Sequence, residues 1–112
     1  CPAYAETMTP DEAEEAQGRY HQGAWEDIVC NMDVRCGVGN SIGGVIFEFL
    51  DEWWKAYEPA IHDTKGFFTG PFPDGYMHEE WLGVAGQGDG ISSPFLRQLR
   101  KSYYAYQKLW ER

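Results

Sequence analysis

The order of elements predicts an α/β chain: a helix, one buried strand of the parallel type, a long ordered loop and a closing helix. Three observations carry that class. Ala13, Ala16, Tyr20, Ala24 and Ile28 recur at three- and four-residue steps, as one helical stripe does. Leu96, Leu99, Tyr103, Tyr106 and Trp110 repeat the pattern near the other end. Between them Val45–Leu50 is β-rich and apolar on both parities, interrupted only by Glu48, as in a strand covered on both faces. At 112 residues with 43% hydrophobic and 24% charged side chains, this is a globular composition of one domain at most. The net charge of −9 disfavours nucleic acid or an anionic membrane as partner, since both recruit cationic surfaces. No apolar run approaches the roughly 18 to 20 residues that cross a bilayer.

The first helix is expected over 10–30. Thr9 and Pro10 read as N-cap and first helical residue, and Asp11, Glu12, Glu14 and Glu15 follow where the helix dipole favours anions. That acidic run reads as a solvated helix start. Gly18 and Gly23 weaken the helix and suggest close packing against a neighbour. The strand is expected over 43–50, and Glu48 inside it requires a cation or a polar cavity. Residues 55–92 are rich in Gly, Pro, Asp and aromatics, which reads as an ordered loop folded over something. The last helix is expected over 94–111, with Ser93-Pro94 as its start. Five of the nine basic residues (Arg97, Arg100, Lys101, Lys108 and Arg112) lie on or near it and read as its solvent face.

Cys1, Cys30 and Cys36 are an odd number, so at least one is unpaired within the chain. Plain buried thiols are expected ahead of a local Cys30–Cys36 disulfide. No metal or cofactor is expected, because His21, His62 and His78 have no ligand spacing. Cysteine usage leaves the compartment open, with an extracytoplasmic or membrane-associated one favoured.

A single central strand has no sheet to join, so its backbone partners must come from elsewhere. The chain therefore reads as part of a larger α/β protein, or as a subunit completing another chain's sheet. The strand runs into Asp51, Glu52, Trp53 and Trp54. Ligands of parallel α/β folds bind beyond the carboxyl ends of strands. Carboxylates accept hydrogen bonds from sugar hydroxyls, and indole faces stack on the C–H face of a pyranose. Successive residues of an extended chain point to opposite sides, so one of Trp53 and Trp54 is expected to face a ligand and the other to pack beneath the loop. The same cluster also reads as two core tryptophans with carboxylates capping the next turn.

The stretch GGVIFEFLDEWWK at 43–55 resembles the eighth strand and following loop of family-2-type (β/α)8-barrel glycoside hydrolases. His62-Asp63, DGYMHEEWLG at 74–83, Gly88-Asp89-Gly90 and the SPxxRQ start at 93–98 follow in the same order. The resemblance covers about residues 40–110. It implies that 1–112 is a single segment, the C-terminal quarter of a TIM barrel: seventh helix, eighth strand, long βα loop and eighth helix. It also implies part of a retaining glycoside hydrolase or transglycosylase, supplying the strand-eight side of the sugar pocket. Phe47, Asp51, Glu52, Trp53, Trp54, His78 and Glu79 are then the substrate-binding candidates. Relatives often carry Asn where His78 stands. Catalytic residues are expected in this chain: none. Such enzymes use two glutamates, and the nucleophile would fall a few residues before Cys1, with Glu6 past the expected strand end. The implied partners are an oligo- or polysaccharide and the remainder of the barrel, or another chain completing the sheet. The alternative is a non-catalytic carbohydrate-binding or structural assembly subunit derived from a barrel.

Overall fold

The computed structural model describes residues 8–55, 62, 77–87 and 97–111. Two helices, α1 (Pro10–Cys30) and α2 (Lys101–Trp110), frame two short 3-10 turns (Trp53–Lys55 and His78–Trp81) and a two-stranded antiparallel sheet. The strands are β1 (Ala85–Gly86) and β2 (Gln98–Leu99), with Ala85 opposite Leu99 and Gly86 opposite Gln98.

Helix α1 forms where its sequence signals place it. Thr9 Oγ1 accepts from the Glu12 N–H, and the Glu12 carboxylate accepts from the Thr9 N–H at 2.8 Å, a reciprocal cap that satisfies two otherwise orphaned donors. The acidic run beyond it does more than face solvent. Glu14 Oε2 accepts from the Lys101 N–H at 3.2 Å, at the opening turn of α2. Lys101 Nζ pairs with Asp11 at 2.8 Å and Glu15 at 3.4 Å. The first turns of α1 thus dock the N-terminus of α2. Gly18 is buried at that crossing, where a Cβ would stand 3.6 Å from the Lys101 carbonyl carbon and the Ser102 nitrogen. Gly23, expected to act likewise, meets nothing within 4 Å. Farther along, Trp25 meets Tyr106 and Trp110 edge-on, at 6.1 and 5.6 Å between ring centres.

Three expectations need correction. Residues 43–50 do not form a regular strand with covered faces. The Phe47–Glu48 peptide is cis. Among the described residues only the end of the segment pairs: Val84 N–H donates to the Glu48 carbonyl, Ala85 N–H to the Phe49 carbonyl, and Leu50 bridges Ala85 in the parallel sense. Upstream, Ile42 is 100% exposed and Val45 97%, because no described residue supplies a neighbouring strand. The closing helix starts at Lys101, and residues 97–100 are not helical. Pairing of β2 with β1 and a bond from the Arg100 N–H to the Val84 carbonyl hold that stretch extended, which outweighs its helical periodicity. Ser93 and Pro94 lie outside the described residues, as does most of 55–92. Finally, Cys30 and Cys36 form a disulfide in place of the expected thiols. The turn around Asp33, whose carbonyl accepts from the Cys36 and Gly37 N–H groups, folds the chain back to the end of α1. No helix among the described residues is long and apolar enough to cross a membrane.

Candidate functional site

The end of the extended segment is organised around Asp51, which is 0% exposed. Its carboxylate receives both terminal nitrogens of Arg100, at 2.7 and 2.6 Å, and the Gly83 N–H at 3.0 Å. Arg100 Nη1 also donates to the carbonyls of Trp81 and Gly83. One bidentate pair therefore ties the segment end, the 78–83 region and the approach to α2 into one unit. Burial pushes the Asp51 carboxyl up, while Arg100 and the Gly83 amide draw it back. Gly83 has to be glycine here: a Cβ would collide with the Asp51 nitrogen and stand 2.7 Å from the Leu50 carbon, both backbone atoms that cannot swing aside.

Beside this hub the His62 ring lies between two indoles. Its centre is 4.8 Å from Trp53 at 15° and 3.7 Å from Trp81 at 28°. Its Nε2–H donates to the Glu80 carbonyl at 2.6 Å, and the same nitrogen lies 4.0 Å from Asp51 Oδ2. Trp53 is 2% exposed, so it is the packed indole of the pair. Trp54 is 58% exposed and stands outward.

The outer rim is polar. Lys55 Nζ is 2.8 Å from Glu79 Oε2 and 3.6 Å from Glu52 Oε2, and the Glu52 N–H donates to the Glu79 carbonyl at 3.1 Å. Hydrogen bonding to Glu79 and the nearby carboxylates raise the Lys55 pKa, so it stays cationic. Phe47 is exposed and His78 half-buried in its turn. Among the seven sequence candidates, Glu52 and Glu79 flank Lys55, the Glu52 side chain 13% exposed and the Glu79 side chain 36%, and Trp54 lies in the same turn as Lys55. Asp51 and Trp53 lie in the packing beneath it, with both Asp51 oxygens already engaged.

Glu48, whose place in an apolar run calls for a partner, receives no hydrogen bond at Oε1 among the described residues. Burial, together with the Glu52, Asp51 and Glu79 charges, raises its pKa to about 7, with Lys55 partly offsetting them. The folded chain thus holds this proton more tightly than the unfolded chain. Stability is therefore expected to fall as pH rises through the ordinary carboxylate range, levelling off above about 7. Glu48→Gln should flatten that decline and leave the variant more stable than the parent at about pH 8, but not at about pH 4. Urea titrations at both pH values check it, and an unchanged slope would show that Glu48 is not the group responsible.

Arg100, His62, Trp81, Gly83 and Lys55 were not among the site candidates. His62, Trp81 and Lys55 were visible within the quoted motifs. Arg100, expected on the solvent face of the closing helix, is instead paired with Asp51, its side chain 12% exposed. A buried aspartate needs a cation, but that need does not say which of nine basic residues answers it. Among the described residues no group of His, Cys, Asp and Glu is arranged to hold a metal ion. No protein-family model, curated protein or solved structure matches the chain.

Proposed function

We propose that this chain supplies one wall of a saccharide pocket in a larger (β/α)8-barrel glycoside hydrolase or transglycosylase of the retaining kind. The carrying observation is an exposed Trp54 indole in the same 3-10 turn as Lys55, the cation that Glu52 and Glu79 share, at the carboxyl end of an extended segment. An indole face open to solvent next to oriented hydrogen-bonding groups is the arrangement a sugar ring uses: apolar contact on one side, hydroxyl partners at the edge. The bare upstream segment supports a larger body. Ile42 and Val45 present apolar side chains to water, and Ile46, Phe49, Val84, Tyr103, Tyr106 and Trp110 line an apolar cavity of about 420 Å³. Those features suit further strands and helices of a barrel packing alongside. The same exposed edge also favours a second reading, a non-catalytic assembly subunit that docks on another chain.

The chemistry of retaining enzymes needs two carboxylates about 5 to 5.5 Å apart across the scissile bond. The resemblance places both glutamates outside this segment, so the 112-residue chain alone should not turn over an aryl glycoside. In the intact protein, Trp54→Ala is expected to weaken binding of a neutral oligosaccharide about tenfold, roughly 1.4 kcal/mol. Its melting temperature should hardly change. Calorimetric titration with cellotetraose, laminaritetraose and mannotetraose reads the first effect, and a thermal melt reads the second. Parent protein that binds none of the three, and hydrolyses no aryl glycoside, would favour the assembly reading.

A further inference from the structure

Glu52 and Glu79, expected from the sequence to meet ligand hydroxyls, both turn their carboxylates to the same cation in the fold. Lys55 Nζ sits 2.8 Å from Glu79 Oε2 and 3.6 Å from Glu52 Oε2. Beneath it, the Glu52 N–H donates to the Glu79 carbonyl, and the Lys55 N–H closes its own turn on the Glu52 carbonyl at 3.0 Å. The Trp53–Lys55 turn and the His78–Trp81 turn are therefore clamped at two levels, main chain below and ion pair above. The Glu52–Glu79 main-chain bond sets the backbone spacing of the two turns. The ion pair fastens their outer side chains, and the exposed Trp54 belongs to the same turn as Lys55.

We propose that Lys55 is the positioning residue of the saccharide site, holding the Trp54 face in register with the 78–81 turn through Glu52 and Glu79. This rests on the saccharide reading above. It has a consequence that a simple stacking site lacks. An uncharged sugar has no electrostatic reason to respond to ionic strength. A platform held by a half-exposed ion pair does respond, because the screening length drops from roughly 30 Å at 0.01 M salt to roughly 3 Å at 1 M. Exposed pairs are individually modest, so the expected change in affinity is about two- to fivefold.

The test titrates the intact protein with the same three neutral tetrasaccharides at about 0.01 M and about 1 M salt. For the parent, affinity should fall about two- to fivefold between the two salts. Lys55→Met and Glu79→Gln should begin about that much weaker and lose the salt dependence. Lys55→Arg, which keeps the charge, should retain both affinity and slope. A purely stabilising ion pair would lower the melting temperature of Lys55→Met while leaving affinity and slope at parental values, and that result overturns the assignment. So does a Lys55→Arg variant as impaired as Lys55→Met. A parent that binds none of the sugars defeats the saccharide reading itself, whereas a parent whose affinity the Lys55 variants match at both salts defeats only the role of Lys55.

Discussion

Arg100→Met will destabilise the protein by about 3 to 5 kcal/mol. The cause is what it leaves behind more than what it removes. Asp51 is fully buried, and two of the three hydrogen bonds its carboxylate receives among the described residues come from Arg100. Without the guanidinium a carboxylate remains in a dry site with one amide, and the carbonyls of Trp81 and Gly83 lose a shared donor. The variant's Asp51 should then hold its proton to higher pH than an unfolded aspartate does. Its stability deficit should therefore be small in acid and grow as pH rises through the ordinary carboxylate range. The double replacement Asp51→Leu with Arg100→Met should cost less than Arg100→Met alone at neutral pH, since it removes the stranded charge. Urea titrations of the three proteins at about pH 4 and about pH 7 decide it. A single variant within about 1 kcal/mol of the parent would show that the pair does not organise the site.

The second large effect separates the two tryptophans. Trp53→Ala is expected to cost about 3 to 5 kcal/mol, because a buried indole stacked on His62 leaves a cavity that the surrounding turns cannot fill. Trp53→Phe should recover most of that loss. The indole N–H finds no hydrogen-bond acceptor among the described residues, so replacing it with a hydrocarbon ring sacrifices volume but no bond seen there. Trp54→Ala should barely alter the melt. Denaturant titrations of the three variants measure the contrast. Equal losses at 53 and 54 would contradict the opposite burial of the neighbouring indoles.

That contrast marks how far local sequence reaches. Alternation along an extended chain predicts one buried and one exposed indole. The split is found, but Trp53–Lys55 is a 3-10 turn, and its three residues per turn are what send the two side chains apart. Which one buries is decided by His62 and the 78–81 turn, both distant in sequence. The saccharide-contact role of the seven candidates rests on the resemblance and on Trp54's exposure, and the binding experiments above are its test. The cysteines behave like the indoles. Their number permits one bridge, but the turn around Asp33 brings Cys36 to Cys30.

By itself the sequence determined the elements whose forces act within a few residues. Thr9, Pro10 and Glu12 start α1, and a stripe at helical spacing carries it to Cys30. The body of α2 follows from the same kind of periodicity. Tertiary structure alone decided where α2 begins, because Arg100 is held extended by β pairing and by a carboxylate far away along the chain. It also decided that Asp51 braces the site from beneath while Lys55 fastens its rim. A helix cap is satisfied by neighbours in sequence, so composition and spacing reveal it. A buried charge is satisfied by whichever opposite charge the fold delivers, and no local pattern encodes that delivery.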